Sequence, residues 1–275
     1  MAFINLNGKL IEQLQPVLQA DNRSFRYGYG LFETILVNDS GIQLKDYHWK
    51  RLWAGMAQLQ FSIPKHFTPS VLEAEVLKTV KKNKQEALSR VRLQVFPGNG
   101  GLYDGDNYNP EYLIECFPLE PHIIELNEAG MTVGIAQGLV KSNDSTANLK
   151  SCNALVYALA SRQARENKWN DALIVNNTGH IIETSIANVF WVKNSKIYTP
   201  PVSEGCVAGV MRAYILDIAA EKGLEITLKP LSVAELMEAD EVFATNAIRR
   251  LKWVGNIDDR AFKCNEIKRI CSIIF

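Results

Sequence analysis

Apolar and polar positions recur along this chain with two different periods. Tyr47, Trp49, Leu52, Trp53, Met56 and Leu59 fall at helical spacing behind Asp46, whose carboxylate suits an N-cap. Leu155, Val156, Leu159 and Ala160 form a second stripe, with Arg162, Arg165, Glu166 and Lys168 on the other face. Further helices are predicted from Pro69 to about Asn83 and from the Gly205–Gly209 stretch to about Lys222, where Gly223 offers a C-cap. Ser232 and Glu235 have the spacing of a capping box that opens a short helix. Strand periodicity predicts a hairpin around Asn7-Gly8 and a second one from residues 90–96 and 111–117. Single strands are predicted at 31–37, 131–136, 172–175, 189–192 and 197–199. Strands and helices mix without regular alternation, so the fold class is α+β. Pro118 and Pro121 resist both helix and central strand, which predicts a domain at 1–117, a linker at 118–123 and a second domain at 124–275.

Composition narrows the function classes. The 275 residues are 47% hydrophobic and 22% charged, enough for a sizeable core, and 30 Lys and Arg balance 30 Asp and Glu. A general nucleic-acid surface needs a basic excess, so no nucleic-acid partner is expected. No apolar run has the length of a membrane span, and no basic and apolar leader opens the chain. Five scattered cysteines without a Cys-x-x-Cys pair fit reduced thiols, so the expected location is cytoplasmic. The four histidines lack metal-ligand spacing, and no metal is expected.

The candidate chemistry sits between Asn148 and Arg212. Lys150 stands where the polar loop from Lys141 to Asn148 feeds a helix, and Glu183 ends a short apolar strand. Alone, a lysine before a helix is ordinarily a solvated first-turn residue. An amine and an acid at two element ends also suit a cofactor held covalently at one end and as a protonated ring nitrogen at the other, which is the requirement of pyridoxal phosphate (PLP). The backbone amides of Val210 and Met211, at a helix start, suit an anion. The Gly-rich run from Pro97 to Gly105 has no Gly-Lys-Ser/Thr ending, so it is not a P-loop.

The stretch Asn148-Leu149-Lys150-Ser151-Cys152-Asn153, with Ile182-Glu183-Thr184-Ser185, Ala187-Asn188-Val189-Phe190, Gly205 to Arg212 and Ala239 to Ala247, resembles the signature region of the class IV (fold-type IV) PLP-dependent aminotransferase and lyase family. The similarity extends over most of the chain. It implies a smaller N-terminal α/β domain and a larger C-terminal domain built round a barrel-like sheet, with PLP in the cleft between them. It implies Lys150 as the lysine that carries PLP and moves protons, Glu183 as the partner of the ring nitrogen, and Arg51, in His48-x-x-Arg51-Leu52, as the phosphate arginine. Val210 and Met211, then Asn246 and Ala247, fall on the phosphate side. Tyr27, Phe32, Glu33 and Arg92 are implied as walls of the substrate pocket. A small amino substrate and a homodimer follow, with Trp49, Trp53 and the Leu102-Tyr103 loop as candidate interface surface. The Gly-Leu-Phe-Glu-Thr stretch and Thr245-Asn246-Ala247 look lyase-like, which favours 4-amino-4-deoxychorismate lyase. Leu102 stands where some lyases carry an arginine. Branched-chain or D-amino-acid aminotransferase is the alternative, and a non-catalytic binding module on the same fold is a remote one.

Overall fold

A computed structural model describes residues 2–275. The chain forms two compact units: one runs to Ile123 and also takes Lys150–Ala154, and the other comprises Ile124–Leu149 and Leu155–Phe275. The sequence places Lys150 in the second domain; the structure groups its five-residue segment with the first unit. The cause is backbone pairing. Phe32 donates its amide to the Lys150 carbonyl at 2.9 Å, Cys152 donates to Gly30 at 2.8 Å, and Leu31 bridges Ser151.

The first unit contains β1 (Phe3–Leu6), β2 (Lys9–Glu12), α1 (Arg23–Tyr27), β3 (Leu31–Asn38), β4 (Gly41–Ile42), α2 (Lys45–Gln58), α3 (Pro69–Lys82), β5 (Leu88–Pro97) and β6 (Pro110–Pro118). Its six-stranded antiparallel sheet has the order β2-β1-β6-β5-β3-β4. Asn7 and Gly8 both have positive φ, 50° and 85°, as a two-residue turn of the twist-matched type requires. Helix α2 starts one residue before the expected cap: Leu44, in the left-handed region, precedes Lys45, and no side chain caps the end. Asp46 therefore lies in the first turn, where its charge still favours the helix N-terminus. Trp49 is only 6% exposed, edge-on to Trp53, which in turn packs on Phe67. It belongs to this unit's own core and not to an exposed interface patch.

The second unit contains β7 (Met131–Lys141), α4 (Leu155–Glu166), β8 (Asp171–Asn176), β9 (Ile181–Thr184), β10 (Asn188–Lys193), β11 (Lys196–Thr199), α5 (Val210–Ala219), β12 (Ile226–Leu228), α6 (Val233–Met237), β13 (Glu241–Asn246), β14 (Arg250–Ile257), β15 (Arg260–Ala261) and α7 (Glu266–Ile274). Strands β10, β13, β14, β7, β8 and β9 form a ring that closes where β9 pairs β10, giving a six-stranded barrel. Closure leaves the core inside: Val133, Leu173, Ile181, Val189, Trp191, Val242, Ala244 and Val254 pack together. Helix α4 is rotated from the expected stripe. Ala160 and Ala164 are buried with Val156 and Tyr157 packed beside them, whereas Leu155 is 66% exposed. Small residues at i and i+4 let α4 lie close on the strands, and a leucine face would hold it off.

Candidate active site

In the first unit, β3 and α2 bring three titratable side chains together. Glu33 is 1% exposed, and its carboxylate accepts from Arg51 Nε at 2.8 Å, Arg51 Nη2 at 2.5 Å and His48 Nδ1 at 2.5 Å. Burial pushes this carboxyl up, but the Arg51 and His48 partners outweigh it and hold Glu33 at about 2. Burial pushes His48 down, against the pull of Glu33. Glu33, expected as a pocket wall, therefore has its charge engaged by the side chain expected to hold phosphate. Phe32 points to the opposite face of β3, as alternation demands. The Arg92 guanidinium lies 3.9 Å from the centre of the Phe32 ring, and Lys150 Nζ lies 4.5 Å from it. Arg92 donates to the neutral Gln94 at 3.1 Å, and burial pulls it below its ordinary range. Tyr27 stacks on Tyr103 at 4.5 Å, so the Gly-rich loop covers its ring.

In the second unit a polar row crosses the barrel closure. Glu183 of β9 is the register partner of Asn188 of β10, and Asn188 is the partner of Thr245 of β13. Directly opposed residues share a face, so all three point the same way, at strand spacings of about 4.8 Å. Val189 and Ala244, their neighbours in sequence, point into the barrel, so the row lies on its outer face. Glu183 is 3% exposed and accepts from Lys141 Nζ at 2.7 Å, Tyr157 Oη at 2.8 Å and the Val207 amide at 3.0 Å. Asn148 holds the loop that supplies this amide: its Nδ2 donates to the carbonyls of Val202 and Cys206, both at 2.7 Å, and Ala208 donates back to its carbonyl.

Helix α5 begins at the same row. Its N-cap is Gly209, with no side-chain cap, so the amides of Val210 and Met211 point out of the first turn. A Cβ on Gly209 would lie 1.9 Å from Asn188 Oδ1. The Thr245 hydroxyl, in a residue 1% exposed, has no hydrogen-bond partner. A helix start without a cap, a buried hydroxyl without a partner and a glycine-only approach fit a phosphate group. Glu183, two strands away, is a buried carboxylate, the type of acceptor that a protonated ring nitrogen requires. Asn246 has a different use: its side chain donates to the Ile186 carbonyl and accepts from the Ile248 and Arg249 amides, shaping the turn after β13. Ala247 is half-buried in that turn. Among the described residues, no group of His, Cys, Asp and Glu could hold a metal ion.

A family model described as amino-transferase class IV matches residues 30–256. The chain belongs to that family. An aminodeoxychorismate lyase of Vibrio harveyi is 29% identical over 236 residues, 86% of each chain. A putative branched-chain-amino-acid aminotransferase of Methanocaldococcus jannaschii is 28% identical over 268 residues, 97% of this chain and 92% of that one. The fold is shared with the branched-chain aminotransferase of Thermoproteus uzoniensis crystallised with norvaline, at a TM-score of 0.87, 22% identity, and coverage of 99% and 93%. The family is PLP-dependent, and this chain is a PLP-dependent class IV enzyme, not a non-catalytic module on the same fold.

The sequence reading did not pick out Lys141, Tyr157, Asn188 or Thr245 as site residues, nor His48 as the partner of Glu33. One signal for Asn188 and Thr245 was present: each is polar on a strand face that otherwise carries Phe190 and Phe243. Lys141 and Tyr157 carry no such mark, because they reach Glu183 from different elements.

Proposed function

We propose that the enzyme acts on a carboxylate-bearing amino substrate and that its reaction is cleavage of aminodeoxychorismate to 4-aminobenzoate and pyruvate. Lys150, Arg51, Glu183 and the α5 amides are each assigned to PLP by the family resemblance; when bound, PLP supplies an electron sink for the substrate carbon next to nitrogen. Lys150 moves the proton, Arg51 and the α5 start bind phosphate, and Glu183 holds the ring nitrogen proton. The observation that carries the substrate class is Arg92. No carboxylate lies within ion-pair distance of its guanidinium among the described residues, and it shares the Phe32 ring with the Lys150 amine. A substrate carboxylate bound to Arg92 is thus delivered next to the lysine. The lyase assignment is supported by the Gly30-Leu31-Phe32-Glu33-Thr34 stretch and by relatives named aminodeoxychorismate lyase.

A transaminase is the second reading, favoured by the M. jannaschii relative that spans nearly the whole chain. The test is product analysis. Holoenzyme is given aminodeoxychorismate, then L-leucine or D-alanine with 2-oxoglutarate. Equal amounts of 4-aminobenzoate and pyruvate from the first support the lyase. A keto acid from leucine or D-alanine, with no 4-aminobenzoate, establishes the transaminase. We also propose a homodimer, supported by the exposed Leu102 and Tyr103, 58% and 84% accessible; sedimentation showing only monomer at micromolar concentration contradicts it. A reducing, cytoplasmic setting fits the five unpaired cysteines.

A further inference from the structure

Glu183 receives more hydrogen bonds than the cofactor reading requires, and they are unevenly distributed. Lys141 Nζ at 2.7 Å and Tyr157 Oη at 2.8 Å both donate to Oε1. Oε2 receives one donor, the Val207 amide at 3.0 Å. A carboxylate oxygen has about two acceptor positions, so Oε1 is full and Oε2 has one left.

The arrangement is built, not incidental. Strand β7 pairs β8 with a register shift between Ile135 and Val140, and Gly138 stands there at φ +69°. The irregularity re-aims the strand end that carries Lys141. The Lys141 side chain is only 10% exposed, and its ammonium lies 5.1 Å from the centre of the Tyr157 ring. Tyr157 is presented from α4, on the face that carries Ala160 and Ala164. Burial, and then Glu183 itself, push the Tyr157 phenol far up, so it stays a donor. Burial, then Glu183, push the Cys206 thiol up to about 11, so it stays neutral. Lys141 is thus the ion-pair partner of Glu183, Tyr157 and Cys206 stay neutral beside it, and the Arg212 guanidinium acts on the Cys206 side.

We infer that Lys141 and Tyr157 are positioning residues for Glu183: they occupy Oε1, stop the carboxylate from rotating, and leave a single acceptor position on Oε2 for the ring nitrogen proton. This rests on the PLP reading above. Lys141 also places a positive charge next to the ring's acid partner, so it sets how readily a proton is held on the bound cofactor.

The test compares Lys141→Gln, Lys141→Arg, Tyr157→Phe and Glu183→Gln holoenzymes. PLP retention is measured by equilibrium dialysis, and the visible band of the bound cofactor is titrated against pH. Lys141→Gln is expected to weaken PLP binding tenfold or more and to raise the midpoint of the band titration, because a nearby cation is lost. Lys141→Arg is expected to restore both, and Tyr157→Phe to weaken binding about threefold with the midpoint unmoved. A Lys141→Gln protein that binds PLP within twofold of wild type with an unmoved midpoint, beside a weakened Glu183→Gln, overturns the inference and leaves the PLP reading intact. Unweakened Glu183→Gln removes the role of Glu183 and the inference with it, and a wild-type protein that takes up no PLP removes both readings. Should Lys141→Gln fail to fold, Tyr157→Phe decides the matter, and unchanged affinity overturns the clamp.

Discussion

Glu33 grips Arg51 along one edge of its guanidinium, through Nε at 2.8 Å and Nη2 at 2.5 Å, from a site that is almost wholly closed to water. A planar fork held along one edge cannot swing, so Arg51 is preset for whatever its other edge meets. Glu33→Gln keeps the shape but removes the charge that balances a half-buried arginine. The expected result is a loss of roughly 3–5 kcal/mol of unfolding free energy, as for other buried pairs with one partner removed. PLP retention is expected to fall with it. Urea unfolding and dialysis measure the two, and a variant as stable as the parent refutes the preset arginine.

Acid should act through the same trio. Glu33 is held at about 2, below its ordinary 4.5, so folding favours its ionised form. Its contribution is complete above about 4.5 and is lost as pH falls towards about 2. His48, pushed below its ordinary 6.5 by burial, has the same sign: the folded state resists its protonation, and stability declines once pH drops under 6.5. Denaturant midpoints at pH 7, 5 and 3.5 are expected to decrease in that order. In Glu33→Gln the step from pH 5 to 3.5 should shrink.

Lys150→Ala is expected to abolish turnover and leave the fold intact, since the hydrogen bond that ties this segment to β3 runs from the Phe32 amide to the Lys150 carbonyl, which the substitution keeps. Borohydride reduction of wild-type holoenzyme followed by peptide mapping should find the pyridoxyl group on Lys150. A label on Lys141 instead would refute the assignment and also the clamp on Glu183.

Gly209→Ala tests the phosphate end. Its Cβ would lie 1.9 Å from Asn188 Oδ1, so Asn188, which donates to the Val207 carbonyl at 2.9 Å, must move. PLP affinity is expected to drop tenfold or more, with melting little changed. Unaltered affinity would mean that the α5 start does not bind the phosphate.

The sequence by itself determined the local elements and the residues that sit on them. The Asn7-Gly8 hairpin, the capping box at Ser232 and Glu235, and the pairing of 90–96 with 111–117 all appear, because turn chemistry, caps and periodicity are short-range physics. Lys150 and Glu183 were legible as an amine and an acid at element ends, and Val210 and Met211 as amides at a helix start. Only the tertiary structure decided what these residues touch. Closure of β9 on β10 sets Glu183, Asn188 and Thr245 in one row, and no local pattern says which two strands of a sheet will meet. The bulge in β7 turns Lys141 onto Glu183 across 42 positions of sequence. The rotation of α4 from its leucines to its alanines came from how closely a helix can approach the strands. Glu33 was a pocket wall only by family resemblance; that its carboxylate meets His48 and Arg51 is decided by where α2 docks on β3. Burial, pairing and charge depend on what arrives from elsewhere in the chain, and that is settled when the sheets close and the helices dock.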